Sequence, residues 1–226
     1  MRQKVKQVEV VETRKEMLED IALHTQLVSE QIRKEALSES VMEAMATVPR
    51  DKFVLDEMRI FAYLDRPLPI GYGKTISQPF MVALMTDLLQ VQPDDRVLDV
   101  GTGLGYQAAI LAKLAKHVYS MDIIDELAKQ AAEKLEELGY QNVDVRTGDG
   151  RKGWAREAPF DKVLVAAAPE LIPPALLEQL KPGGKMVIPS GLPGSQQLML
   201  VEKNAQSAIN TEEILPVLFS PLTLLH

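Results

Sequence analysis

Residues Arg96 to Tyr106 read R-V-L-D-V-G-T-G-L-G-Y and constrain the fold more than any other stretch of this chain. The apolar run Val97, Leu98 and Val100, broken by one acid at Asp99, suits a buried strand, and it stops at Gly101, Gly103 and Gly105 before an alanine-rich segment. The pattern predicts a strand, a glycine turn and a helix N-terminus. Glycines at such a junction admit positive φ and let a ligand approach the main chain, while the helix start presents free N–H groups. A nucleotide-like ligand fits there.

Spacing narrows the choice of ligand. A dinucleotide fingerprint is G-x-G-x-x-G, but the third glycine position is here Tyr106 and the glycines run G-x-G-x-G. An acid at Asp99 would repel a pyrophosphate, yet suits a cofactor with a cationic amine nearby, as in the methionine moiety of S-adenosylmethionine. Asp122 ends the next apolar run, Val118 to Met121, where a carboxylate can take both ribose hydroxyls of an adenosyl group. Asp149, in T-G-D-G, ends the third run, next to the expected adenine. Three successive strand-end acids are hard to explain as parts of a purely structural loop.

Along the chain, residues 1–20 are charged and carry little apolar periodicity, so they read as a frayed arm. Residues 21–226 read as one domain, with a helical cover and irregular substrate-side loop over 21–78 and a cofactor-binding core over 79–226. Apolar positions from Met17 to Leu37 recur at helical spacing, and Ser38 looks like the N-cap of a second helix ended by Pro49. Pro79 opens an apolar helix to Leu89, for which the Ser77 hydroxyl is a candidate cap. From Arg96 onward strands and helices alternate, which predicts an α/β, doubly wound and mostly parallel sheet. Pro182-Gly183-Gly184 reads as a helix-to-strand turn, and two final apolar runs, Gln197 to Glu202 and Glu213 to Leu218, as antiparallel strands.

Composition sets bounds on function. At 226 residues and 46% hydrophobic, the chain can bury one sizeable core. A formal charge of −7 and a pI near 5.1 argue against a nucleic-acid footprint. The chain has no cysteine, its three histidines are scattered, and no run approaches a membrane span. No metal site and a cytoplasmic location are therefore expected, with a monomer as the favoured state.

The motifs V-P-R-D-K-F-V (48–54), L-P-I-G (68–71), T-I-S-Q-P (75–79), the glycine turn, Y-S-M-D (119–122), G-D-G (148–150), A-P-F-D (158–161), L-K-P-G-G (180–184) and S-P-L (220–222) fall in the order seen in protein-L-isoaspartate O-methyltransferases. The chain resembles that family over about residues 27–224, and T-I-S-Q-P is its most specific mark. The resemblance implies a Rossmann-like repair enzyme that methylates the α-carboxylate of L-isoaspartyl residues in damaged proteins and peptides, using S-adenosyl-L-methionine. The ester then collapses to a succinimide that can reopen to aspartate. It further implies that Ile76, Ser77, Gln78 and Pro79 line the donor and the incoming carboxylate, with Ser77 as the active-site residue. Asp99, Gly101, Thr102, Gly103 and Gly105 would cradle the methionine part, Asp122 the ribose, and Asp149 with Gly150 the adenine. Thr223 matches a cofactor contact of some members.

The chain departs from the family pattern at Ala166, where a hydroxyl is frequent, at Tyr72, where His or Gln is common, and at Leu104, where Ser is frequent. Two other readings stay open: a methyltransferase of this fold acting on a small molecule or another protein group, and a module that binds S-adenosylmethionine without turnover. An intact T-I-S-Q-P segment speaks against the second.

Overall fold

The structure, a computed structural model, describes residues 2–222, with side chains from residue 13 onward. Its centre is a seven-stranded sheet of order β5-β4-β3-β6-β7-β8-β9. β3 (Arg96–Val100), β4 (His117–Asp122), β5 (Val143–Thr147), β6 (Phe160–Val165) and the start of β7 (Leu180–Leu192) run parallel, while β8 (Ser195–Lys203) and β9 (Ile209–Val217) close one edge antiparallel. The chain goes from β3 outward to β4 and β5, then returns to β3's other side for β6. That reversal opens a crevice at the carboxyl ends of β3 and β6, where open α/β sheets bind ligands.

Both sheet faces are covered, so the strands are apolar on both sides. One face carries Val97, Val118, Leu164 and Val187 against α4 (Pro79–Leu89), α5 (Tyr106–Ala112) and α6 (Asp125–Glu137). The other carries Leu98, Val100, Tyr119, Met121 and Val163 against α7 (Pro174–Gln179), with Trp154 edge-on to Tyr119. Alternation along β3 therefore puts Asp99 on Val97's face, toward the helices.

Two expectations are corrected and one is refined. Within the expected frayed arm, residues 2–20 are helical, because α1 runs Arg2–Leu27 without a break. Met17 is fully buried, and Arg14 donates to the Ala46 carbonyl at 3.0 Å and to the Tyr63 hydroxyl at 2.8 Å, so packing begins before residue 21. Residues 51–78, expected as a loop or irregular strand region, hold two short 3-10 turns that lead into the irregular hairpin of β1 (Leu68–Gly71) and β2 (Lys74–Ile76). Pro182-Gly183-Gly184 lies inside β7 as an irregularity, since Phe160 pairs with Leu180 while Lys162 pairs with Lys185. The short helices α2 (Ser29–Ile32) and α3 (Glu39–Thr47) complete the cover, with Ser38 as the N-cap of α3.

Candidate active site

The Gly101 amide makes the last bond of the β3–β4 ladder, to the Met121 carbonyl at 2.8 Å, and the positive φ of Gly101 then turns the chain out of the strand. Gly101, Gly103 and Gly105 all have positive φ, and a Cβ on Gly103 would meet Ile70 Cδ1 at 3.0 Å. The β1–β2 hairpin thus closes directly over a turn that only glycine allows. Gly105 is the N-cap of α5.

The turn is pinned by Asp122. Its Oδ2 accepts from the Gly103 amide at 2.9 Å and its Oδ1 from the Ile124 amide at 3.0 Å. Burial raises its pKa, an effect opposed by those two amides and by the charge of Lys74. A cavity of about 610 Å³ opens here. Gly101, Gly103, Asp122, Gly150 and Ala166 form one side, Ser77, Gln78, Lys74 and Ile70 the facing side, and residues 216–222 the lip. Lys74 and Asp122 are the only charged side chains in this wall among the described residues.

Gly150 reaches the wall because it lacks a side chain. A Cβ there would lie 2.3 Å from Val100 Cγ1. It begins a 3-10 turn, Gly150–Lys152, capped by Asp149, whose carboxylate accepts from the Arg151 amide at 3.0 Å. Asp149 therefore shapes the turn that presents Gly150, and its side chain is not in the cavity wall.

Asp99 is also behind the wall. It is fully buried and pairs across the ladder with Ser120, whose hydroxyl donates to Asp99 Oδ2 at 2.6 Å; Ser120 and Thr102 hydroxyls are in turn 2.6 Å apart. The other carboxylate oxygen, Oδ1, has no partner. Burial pushes the Asp99 pKa up to about 7, a rise the Ser120 hydrogen bond opposes. Thr102, like Asp99, faces into the protein.

Of the sequence-derived site residues, Ser77, Gln78, Gly101, Gly103, Asp122 and Gly150 converge on the cavity. Ile76, Pro79, Asp99, Thr102, Gly105 and Asp149 stand behind it, and Thr223 lies outside the described residues. Ser77 is not the helix cap: Gln78 is the N-cap of α4 and makes no side-chain cap bond. The Phe80 amide is taken instead by Asp65, at 2.8 Å.

Sequence reasoning assigned no role to Arg50, Asp65 or Lys74. Arg50 is fully buried and donates from Nη2 to the Ser77 carbonyl. Only its place in the V-P-R-D-K-F-V motif signalled it. The lip was similarly marked by S-P-L alone. It is sewn down where the Ala168 amide donates to the Ser220 carbonyl at 2.8 Å and the Leu222 amide to the Ala168 carbonyl at 2.9 Å.

No group of three or more His, Asp or Glu side chains among the described residues could hold a metal ion, and no described helix is long and apolar enough to cross a membrane.

Comparison with known proteins supplies a family. The model of the family Protein-L-isoaspartate(D-aspartate) O-methyltransferase (PCMT) matches residues 22–225. The chain is similar to protein-L-isoaspartate O-methyltransferase 1 of Polaromonas sp. strain JS666, 60% identical over 209 residues that cover 92% of this chain and 89% of that one. Protein-L-isoaspartate O-methyltransferase 2 of Syntrophobacter fumaroxidans is 58% identical over 211 residues, covering 93% and 85%. Among solved structures, a Plasmodium falciparum protein named as a protein-L-isoaspartate O-methyltransferase, in complex with S-adenosyl-L-homocysteine, matches with a TM-score of 0.75 and 25% identity over 93% of this chain and 98% of that one. Another solved protein of that name shares the fold at a TM-score of 0.79 and 24% identity, over 92% of this chain and 65% of its own.

Proposed function

Because the chain belongs to the protein-L-isoaspartate(D-aspartate) O-methyltransferase family, we propose that it methylates the free α-carboxylate of L-isoaspartyl residues in damaged proteins and peptides, with S-adenosyl-L-methionine as donor. The observation that carries this reading is the cavity itself. It joins a glycine turn pinned by a nearly buried Asp122 to the Ser77–Gln78 segment on the facing side.

The residues present fit such a donor. At about 610 Å³ the cavity is of ordinary ligand-site size, roughly 300–1,000 Å³. Gly150 leaves space at its far end that a Cβ could not share with Val100. Asp122 would take the ribose hydroxyls, Gly101 and Gly103 the methionine part, and Gly150 the adenine, with Asp99, Thr102, Gly105 and Asp149 supporting that wall from behind. When bound, S-adenosylmethionine supplies an electrophilic methyl group activated by its sulfonium.

The chain's own task is then positioning. A carboxylate with an ordinary pKa near 4 is already ionised at pH 7, so no residue has to act as a general base. Ser77 donates a hydrogen bond that aims the carboxylate, while Gln78 sets its approach, Ile76 and Pro79 hold that segment from behind, and the apolar lip excludes water. Lys74, the one cation of the wall among the described residues, offsets the charge of the incoming anion.

The proposal extends to a cytoplasmic monomer without nucleic-acid or membrane partners, supported by an acidic, cysteine-free chain. The test is transfer of labelled methyl groups to an isoaspartyl peptide and to its aspartyl twin. Transfer to the isoaspartyl form alone supports the reading. Equal transfer to both would overturn the repair assignment, and transfer to neither, with donor bound, would return the binding-module reading.

A further inference from the structure

The first amides of a helix have no partner within it, and a side chain placed among them decides the conformation of the residues just before. At the start of α4 that side chain is Asp65, from the loop before β1. Its Oδ1 accepts from the Phe80 amide at 2.8 Å, and its Oδ2 accepts from Gln78 Nε2 at 3.0 Å and lies 2.5 Å from His24 Nδ1 of α1. The Asp65 side chain is only 7% exposed. The His24 ring also packs on Phe80, with centroids 5.0 Å apart, and His24 Nδ1 is 3.5 Å from Gln78 Nε2.

One carboxylate therefore joins α1, the start of α4 and a side chain of the cavity wall. Gln78 has three rotatable side-chain bonds, and without an anchor its amide would sample several rotamers beside Ser77 in the cavity wall. Its anchorage at Asp65 removes that freedom. The same carboxylate holds the Phe80 amide, so the short turn Ser77-Gln78-Pro79 is fixed from both its side chain and its main chain.

We propose that Asp65 is a positioning residue for the methyl transfer, acting through Gln78 and the turn that carries Ser77. This inference rests on the function proposed above, in which Ser77 and Gln78 meet the carboxylate. Reacting atoms displaced by about 1 Å can slow a reaction roughly a hundredfold. An anchor of this kind should therefore appear in kcat more than in binding of the donor.

The experiment compares wild type, Asp65→Asn, Gln78→Leu and the double variant on one isoaspartyl peptide, with S-adenosylhomocysteine affinity from calorimetry and stability from thermal melts. Asn at 65 keeps an oxygen for Phe80 but turns an amide donor toward the Gln78 donor. Each single variant is expected to lose about ten- to a hundredfold in kcat, with S-adenosylhomocysteine affinity changed by less than about threefold. In the Gln78→Leu background, Asp65→Asn should cost less than about threefold more in kcat, because the group it acts through is gone. If Asp65→Asn does not fold, Gln78→Leu decides alone, since it leaves the Phe80 cap in place. A kcat within about twofold of wild type for either folded single variant, or the same kcat loss from Asp65→Asn in both backgrounds, would overturn the inference. Failure of the underlying function is told apart by wild type itself, which would then leave the isoaspartyl peptide unmethylated and remove the inference with it.

Discussion

Arg50 donates from its guanidinium Nη2 to the main-chain carbonyl of Ser77 at 2.7 Å, across 27 positions of sequence. The same side chain donates from Nε to the Ala62 carbonyl at 2.8 Å and lies over the Tyr106 ring, 4.8 Å from its centroid. It thus ties the Ser77 turn to the first residue of α5, on the cofactor side of the cavity. Burial lowers the Arg50 pKa, opposed by nearby Tyr106 and Asp65.

Loss of that side chain should be costly even where its volume is kept. Arg50→Met strands two carbonyls in the interior, each at about 1–3 kcal/mol, so a destabilisation of about 2–6 kcal/mol is expected. Arg50→Lys should recover only part of it, because an ammonium cannot make both bonds and lie flat on Tyr106. Denaturant unfolding measures this, and a loss below about 1 kcal/mol in Arg50→Met would contradict the tie.

Ser77→Ala should lower turnover on the isoaspartyl peptide by roughly ten- to two-hundredfold, the worth of one hydrogen bond to a charged oxygen at about 1.5–3 kcal/mol. Donor affinity should stay nearly unchanged. Because no group changes protonation in the chemical step, single-turnover rates should be flat from about pH 6 to pH 8. A steep rise centred near neutrality that persists in Asp99→Asn would show a base at work.

Asp122→Ala should weaken S-adenosylmethionine binding at least about tenfold, through lost charge-assisted bonds to the ribose and a released Gly103 amide. A pH dependence accompanies it. Since burial raises the Asp122 pKa, affinity should start to fall, as pH is lowered, at a higher pH than an ordinary carboxylate would allow. Lys74 lowers that pKa, so Lys74→Gln should move the onset further up. Calorimetric titrations across acid pH read both effects, and an onset that does not move in Lys74→Gln would disprove the coupling.

Asp99 should govern how stability depends on pH. Its folded pKa of about 7 exceeds the unfolded value of about 3.9, so between those limits the folded protein holds a proton that the unfolded chain has released. The stabilisation is complete below about pH 4 and disappears as pH rises through about 7. Asp99→Asn should flatten the unfolding free energy over this range and raise it, relative to wild type, at pH 8. Urea unfolding at a series of pH values provides the check, and an unchanged slope would mean that Asp99 is ionised in the folded state throughout.

Much of the local physics was readable in the sequence. The glycine turn, the Pro79 helix start, the alternation of strands and helices and the final hairpin rest on periodicity and turn chemistry that span only a few residues. Those signals also located Asp122, Gly101 and Gly103 on the cavity, and the family resemblance added Gly150. The buried position of Asp99 was legible in principle too, because period two puts it on the face of Val97. Only the fold decided its consequence: Ser120 supplies one partner, nothing supplies a second, and Asp99 stays behind the wall.

What tertiary structure alone decided are the bonds between distant segments. Ser77 was a reasonable cap for α4 on local grounds, yet the Phe80 amide went to Asp65 because the loop before β1 folds back against the helix start. Arg50 reached the Ser77 carbonyl, and α1 remained helical and packed from Arg14 on, for the same reason. A buried donor must find an acceptor, but which acceptor is near depends on how whole elements pack, and no spacing along the chain encodes that distance.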